Sequence, residues 1–268
     1  ALLLVSLRMC FTALGFYLIP YTRQQIRTLT RKQIGFLALI GTVICIHWLC
    51  FYHSIKVFNS SSIALICLGT SSMFVIWIEF LLRIRREISM LDVMISLVAI
   101  AGMSLIYYGN EVNTIDLHLY KWAIFYGIMA AMLASIFTIM NKKASKEIEP
   151  LAISFVEMMT GAILLFFVLL SQNLLPQISQ IALRDWFWIL ILSVLCTNIP
   201  FLLSIYALKK LNPFTVTLSV NLEPIYGMLL AGIFFQEYKN FNLYFFIGSF
   251  LILISVFLPL IFNRDESK

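Results

Sequence analysis

The sequence predicts an all-α membrane protein, a polytopic helical bundle. Of its 268 residues, 61% are apolar and only 12% are charged, and the mean hydropathy is +0.94. Soluble domains are roughly 45–50% apolar and about 25% charged. The 13 acidic and 19 basic residues are too few to cover the surface of a soluble protein of this length. This composition excludes a soluble enzyme, a nucleic-acid-binding domain and a disordered chain.

Nine apolar blocks supply the second observation. Each is 20 to 23 residues long, close to the roughly 20 residues with which a helix crosses about 30 Å of hydrocarbon. They do not alternate apolar and polar residues as the strands of a membrane barrel do, so we predict nine helices. The blocks are 1–20, 34–55, 60–82, 90–109, 121–140, 151–171, 186–206, 213–235 and 241–262.

The distribution of basic residues is the third observation. When successive connections are placed on opposite sides, 14 Lys and Arg residues fall on one side and 4 on the other, with Arg8 inside a helix. The richer side is predicted to be cytoplasmic. We therefore predict a multi-pass protein of the inner (plasma) membrane with its C-terminus in the cytoplasm. In this topology the first block enters from outside, so we expect one more helix before it.

The chain carries no motif of an enzyme or of a metal site. Its five cysteines lie inside apolar blocks and form no CxxC pair or Cys/His cluster. A phosphate-binding GxxxxGKS loop, a GxGxxG turn and an HExxH helix are all absent from the sequence. We expect no cofactor, no metal, no nucleic acid and no catalytic residue.

Weak internal similarity predicts two halves. Residues 52–102 share a layout with 206–255, and 8–20 share one with 157–169 at an offset of 149, which sets Arg8 opposite Glu157. Five helices, an odd number, would separate equivalent positions, so the halves are predicted to be inverted. The predicted repeats cover 1–110, whose first helix is missing from this chain, and 121–262.

Particular residues resemble a known family. YALKKLNPFTVTLSVNLEPIYGMLLAGIFFQE (206–237) and FIGSFLILISVFL (246–258) resemble the EamA-type carriers of the drug/metabolite transporter superfamily. The features that match are the Tyr-Ala-Leu-Lys entry, Leu222-Glu223-Pro224 inside a helix, and Glu237. Residues 51–80 give a degraded version in which Phe80, instead of proline, follows Glu79. The resemblance implies ten helices in two inverted five-helix repeats.

The resemblance also implies a function. We expect a secondary transporter that moves a small metabolite, an amino acid or related compound, across the cytoplasmic membrane by alternating access, with export as the expected direction. Its partners would be the metabolite, the lipid bilayer, protons and, in a homodimer, a second copy of the chain. The alternative is a non-transporting assembly factor or receptor with the same fold. A membrane enzyme is a weaker third choice.

Two ionisable residues inside helices are the first candidates for a site, because burying such groups in hydrocarbon costs roughly 2.5–3.5 kcal/mol each. Arg8 and Glu157 are predicted to bind the carboxylate and the ammonium of a zwitterionic substrate. Glu157 is also a candidate for proton coupling. The alternatives are a structural salt bridge between them, or an Arg8 side chain that extends to the headgroups.

Aromatic and amide side chains complete the predicted substrate site. Trp48 and His47 are predicted to contact substrate, and His47 to carry protons, whereas an interfacial aromatic belt explains the nearby Tyr52 and His53 equally well. Asn198 and Asn221 are predicted to hydrogen-bond substrate. Glu223 is a third candidate for proton coupling, beside a kink at Pro224. It lies about 200° around the helix from Asn221, so the two are not expected to face one cavity.

Overall fold

The computed structural model describes residues 2–58, 61–108, 117–223, 225–226, 229–230, 233 and 243–261. All regular secondary structure in these residues is helical. The elements are α1 (Leu2–Leu18), α2 (Pro20–Ile26), α3 (Arg31–Phe58), α4 (Ser61–Gly69), α5 (Ser71–Leu81), α6 (Met90–Tyr108), α7 (Leu117–Ala144), α8 (Pro150–Ser171), a 3₁₀ turn (Leu175–Gln180), α9 (Leu183–Ser193), a π turn (Val194–Asn198), α10 (Ile199–Lys210), α11 (Pro213–Val220) and α12 (Leu243–Ile261).

The helices confirm the predicted polytopic all-α class. In the described part of the chain, five segments are long and apolar enough to cross a membrane: Arg31–Val57, Ile63–Leu81, Leu119–Ala144, Pro150–Ser171 and Leu183–Lys210. The pair α1 and α2, bent by 93°, gives a sixth if it forms one span, and α6 and α12 are shorter apolar helices. These elements match eight of the nine predicted blocks. Of the block 213–235, the structure describes residues 213–223 and only a few of the residues that follow.

Prolines set where several helices begin. Pro20, Pro150 and Pro213 each occupy the first turn of a helix, where the missing N–H is not needed. Asn212, before Pro213, accepts a hydrogen bond from the Thr215 backbone N–H at 2.8 Å and caps α11. Pro20 therefore ends the predicted first block and starts α2 in a new direction.

The chain divides into two compact units that alternate along the sequence. The first unit comprises Ala1–Leu49 and Phe137–Leu211, and the second comprises Cys50–Ile136 and Asn212–Lys268. The unit boundaries thus fall inside α3 and α7. The repeat boundaries predicted from sequence, 1–110 and 121–262, stay a prediction, as does the inverted relation of the halves.

The core of the first unit is the contact between α1 and α8. Val5, Met9 and Phe16 recur at helical spacing on α1 and are at most 1% exposed. A Cβ added at Gly161 of α8 would overlap the Met9 side chain, so glycine lets the two helices approach closely. Phe167, on another part of α8, is 60% exposed, as expected for a lipid-facing side chain.

Helices α6 and α12 pack closely within the second unit. A Cβ added at Gly102 would lie 2.8 Å from the carbonyl oxygen of Gly248. Ile106 and Ile252, one turn beyond each glycine, are at most 1% exposed. The two backbones can meet this closely only because neither glycine carries a side chain.

Candidate functional site

The arginine inside the first helix contacts two other segments of the first unit. The Arg8 Nε–H donates a hydrogen bond to Thr197 Oγ1 at 2.7 Å. Its guanidinium carbon lies 4.2 Å from the centroid of the Trp48 ring, within the range of a cation–π interaction. Trp48 is 8% exposed. A hydroxyl group and an aromatic face therefore hold the charge of Arg8 in place.

The position of Thr197 places this charge far from the ends of the helices. Thr197 follows Leu183 by 14 residues and precedes Lys210 by 13, in the middle of a candidate span. At 1.5 Å per residue it lies roughly 20 Å along the helix from either end. Because Arg8 bonds to Thr197, a side chain extended to the headgroups does not describe this geometry.

Thr197 belongs to the π turn Val194–Asn198, where the helical hydrogen-bond pattern changes. Pro200 has no N–H, so the usual helical bond to the carbonyl of Cys196 cannot form. The Thr197 hydroxyl donates to the carbonyl of Leu192 at 2.7 Å. Its oxygen is then left as an acceptor for the arginine. Single π turns inside α-helices are frequent at functional sites.

Asn198 makes a second contact between α1 and this turn. Its Nδ2 donates to the carbonyl of Thr12 at 3.3 Å, and the Thr12 hydroxyl donates to the carbonyl of Ser193 at 3.4 Å. A Cβ added at Gly15 would overlap the Asn198 amide. Asn198 Oδ1 is buried and has no hydrogen-bond partner among the described residues.

A second polar cluster in the first unit surrounds Glu157. Glu157 is 0% exposed, and its Oε2 accepts a hydrogen bond from Asn141 Nδ2 at 3.3 Å. Glu157 Oε1, Asn141 Oδ1 and Ser154 Oγ are buried without a partner in the described part of the chain. A Cβ added at Gly41 of α3 would lie 2.5 Å from the backbone carbonyl oxygen of Glu157, so α3 passes directly beside this cluster.

His47 is buried against an aromatic ring. It is 7% exposed, and its ring centroid lies 5.3 Å from that of Phe137 in an edge-to-face arrangement. The next residue, Trp48, points about 100° away around α3, so the two rings do not share a face. The structure therefore gives His47 different surroundings from Trp48.

Asn221 and Glu223 lie in the second unit, where α11 ends. Asn221 follows the last residue of α11 and is 1% exposed, and neither of its amide atoms has a partner among described residues. Glu223 is exposed, so its surroundings differ from those of Asn221. Pro224, with its predicted kink, lies outside the described residues.

The acidic residue at the end of α5 has a different partner from the one its spacing suggests. Glu79 precedes Arg83 by four residues, but its carboxylate pairs with Arg85 at 3.5 Å. Arg85 also pairs with Asp92 at 2.5 Å. Arg83 has a positive φ of 58° and is exposed. The chain turns at Arg83, and this turn brings Arg85 between the two carboxylates.

Comparison with known proteins decides the family. The sequence profile of the EamA-like transporter family matches residues 121–261, more than half of the chain. The chain belongs to the EamA-like transporter family. A solved crystal structure, 13% identical in sequence, matches 100% of this chain and 89% of its own with a TM-score of 0.74, which shows a shared fold. No curated protein sequence matches the chain.

This EamA-like transporter brings together three of the six predicted substrate residues. Arg8, Trp48 and Asn198 meet at or beside the π turn in the first unit. Glu157 is in the same unit but bonds to Asn141, and within the described residues it forms no ion pair with Arg8. The predicted structural salt bridge between Arg8 and Glu157 is therefore not formed in this structure. The predicted substrate roles stay predictions.

Sequence reasoning misses Asn141. This residue comes directly after the block 121–140 and directly before Lys142 and Lys143, which is typical of a loop on the cytoplasmic side. In the structure α7 continues to Ala144 and Asn141 is 1% exposed. The sequence signal for a buried Asn141 was an uncharged polar residue between an apolar block and two lysines.

Proposed function

We propose that this EamA-like transporter is a secondary carrier that exports an amino acid or a related carboxylate-bearing metabolite. It would work by alternating access between two inverted halves in the inner (plasma) membrane, with the C-terminus in the cytoplasm. Membership of a transporter family supports the class of function. The excess of basic residues on one side, 14 against 4, supports the orientation.

The single observation that carries the substrate class is the contact of Arg8 with Thr197. A guanidinium group presents several N–H donors in a plane and matches a carboxylate in two-point geometry. A hydroxyl oxygen is a neutral acceptor, so a carboxylate would bind the arginine more strongly than Thr197 does. An arginine in the middle of a span is a functional candidate for this reason.

The other predicted residues supply the remaining recognition and the coupling. The face of Trp48 and the amides of Asn198 and Asn221 would contact the uncharged part of the metabolite. Glu157 would bind the substrate ammonium or a proton, with His47 and Glu223 as further proton carriers. Exchange of metabolite for protons would then drive export.

Transport by reconstituted protein tests this proposal. Vesicles containing the full chain would be loaded with a whole-cell metabolite extract, and the compounds released would be identified by mass spectrometry. The release would be followed with and without an inward proton gradient, against protein-free vesicles. We expect selective release of carboxylate-bearing metabolites, faster with the gradient.

Two results would overturn the proposal. Release of no compound under either condition would favour a non-transporting assembly factor or receptor with the same fold. Equal release of compounds with and without a carboxylate would still show a carrier, but it would contradict the proposed role of Arg8 in binding the carboxylate. Alternating accessibility of cysteines placed near Trp48 and near Asn221 would test the mechanism separately.

A further inference from the structure

Two oxygen atoms of one hydrogen-bonded pair lack partners. Asn141 Nδ2 donates to Glu157 Oε2 at 3.3 Å, whereas Glu157 Oε1 and Asn141 Oδ1 have no partner among the described residues. The two side chains are 0% and 1% exposed, so bulk water does not reach them. Buried polar atoms nearly always have a hydrogen-bond partner, so this pair needs an explanation.

An ionised Glu157 does not explain it. A carboxylate only accepts hydrogen bonds, and the oxygen of an asparagine amide also only accepts. Ionised Glu157 would thus leave two acceptors of one pair without a hydrogen-bond donor from any described residue, in a site where an unpaired charge is very unfavourable. One additional hydrogen satisfies both, because a protonated carboxyl donates through one oxygen and accepts through the other.

We propose that Glu157 carries a proton on Oε1 and forms a two-point acid–amide pair with Asn141. Asn141 Nδ2–H donates to Glu157 Oε2, and Glu157 Oε1–H donates to Asn141 Oδ1. Asn141 is then a positioning residue that selects the protonated form of the carboxyl group. It holds the proton between α7 and α8 inside the first unit.

The charged side chains around the pair have other partners where the structure describes them. None of the titratable or charged side chains on the elements packed against α8 is a partner of Glu157 within the described residues. Arg8 bonds Thr197, Lys142 donates to the carbonyls of Leu208 and Leu211, and Lys209 pairs with Glu149. Within the first unit these side chains are Arg8, Cys10 and Tyr17 on α1, Tyr21 and Arg23 on α2, Arg31, Lys32, Cys45 and His47 on α3, Lys142 and Lys143 on α7, and Tyr206, Lys209 and Lys210 on α10.

The pair suggests how protonation of Glu157 could be coupled to a change of conformation. This part of the inference rests on the proposed carrier function. Loss of the proton to water would turn the Glu157–Asn141 contact into one with two unpartnered acceptors. The contact of α7 with α8 at this point would therefore weaken when the proton leaves. A conformation that opens the site to water on one side would be favoured by deprotonation, and the closed one by protonation.

Infrared spectroscopy of the full chain in lipid vesicles tests the pair without any transport. At neutral pH we expect the carbonyl band of a hydrogen-bonded carboxylic acid, shifted in deuterated water. Glu157→Gln should remove this band, and it should fold because a Gln–Asn amide pair can form both hydrogen bonds. Asn141→Leu should shift the band to that of a weaker hydrogen bond, because the acid then loses its amide partner. Glu147→Gln, at an exposed acid, is the matched control and should leave the band unchanged.

The outcomes separate this inference from the carrier proposal. The pair would be overturned if Glu157→Gln removes no acid band from the wild-type spectrum. Glu157 would then be ionised, with a bound cation or water supplying the missing partner. An acid band that Asn141→Leu leaves unchanged in folded protein would also overturn it. An acid band with both expected shifts supports the pair even in a protein that transports nothing. In that case the carrier proposal alone would fail.

Discussion

Arg8 donates its Nε hydrogen to the hydroxyl oxygen of Thr197 at 2.7 Å, and the same hydroxyl donates to the carbonyl of Leu192. The hydroxyl hydrogen is thus directed to the backbone and its oxygen to the arginine. This relationship joins α1 to the π turn in the middle of a span. It gives a transporter of this family a fixed positive charge far from either end of that span.

Replacement of Arg8 by lysine tests the planar contact. Arg8→Lys keeps the charge but loses the Nε donor and the flat group that covers Trp48. We expect transport to fall by roughly tenfold or more, the size expected for loss of one hydrogen bond to a charged group. The measurement is the initial rate of metabolite release from vesicles. Arg27→Lys, at an exposed arginine, is the control, and equal rates for the two variants would contradict the assignment.

Replacement of Thr197 separates the hydroxyl from the shape of its side chain. Thr197→Val keeps the volume and removes both hydrogen bonds, whereas Thr197→Ser keeps them. We expect Thr197→Val to raise the KM for the metabolite by disordering Arg8, and Thr197→Ser to restore it. Similar loss in both variants would mean that the methyl group, and so packing, is what matters.

Replacement of Glu157 by glutamine tests coupling. Glu157→Gln is expected to lower transport and its response to a proton gradient without lowering the amount of folded protein, because the neutral side chain suits a buried site. Gradient-driven release and the folded fraction would be measured on the same preparation, with Glu147→Gln as control. Equal loss of transport and folded protein would assign Glu157 a structural role.

The hydropathy of the sequence is sufficient to predict the helices, because a span in hydrocarbon must pair its backbone N–H and C=O groups within the segment itself, as a helix does. Helix α2 and its bend of 93° from α1 were not predicted, since residues 21–26 lie beyond the apolar block 1–20 and were read as part of a connection. The i, i+4 spacing suggests Arg83 as the partner of Glu79, but this spacing assumes a continuous helix, and the helix ends before the turn at Arg83.

The candidate site was predicted only in part. Repeat similarity predicts equivalent positions for Arg8 and Glu157, but such similarity does not say which helix faces each side chain. The contact of Arg8 with Thr197 depends on the π turn, and that change in helical pattern arises from tertiary context as well as from Pro200. The polar partner of Glu157, Asn141, lies on a helix that extends past its apolar block.

A methyl group at Gly41 tests the approach of α3 to the Glu157 cluster. In Gly41→Ala the new Cβ would meet the Glu157 backbone, which cannot move as a side chain can. We expect a loss of about 1–3 kcal/mol in the free energy of unfolding. Gly35→Ala is the control, because a Cβ there meets nothing within 4 Å. Thermal unfolding in detergent would measure both, and an unchanged Tm for Gly41→Ala would contradict the close packing.

The ion-pair cluster in the second unit provides a stability test. Arg85→Ala would leave the largely buried carboxylates of Glu79 and Asp92 without this partner. We expect a loss of about 3–5 kcal/mol, as for other buried ion pairs that lose one member. Arg83→Ala removes an exposed arginine two residues away and should change stability little. The free energy of unfolding of both variants would be measured with a chemical denaturant. Equal values for Arg85→Ala and Arg83→Ala would contradict this account.

Competition between matched compounds tests the central claim most directly. Vesicles containing the full chain would be loaded with equal amounts of amino acids and of the amines formed by removing their carboxylates, and the release of each would be measured together. The account predicts release of the amino acids and retention of the amines, with the difference reduced in Arg8→Lys. Equal release of both sets, or release of neither, would contradict it.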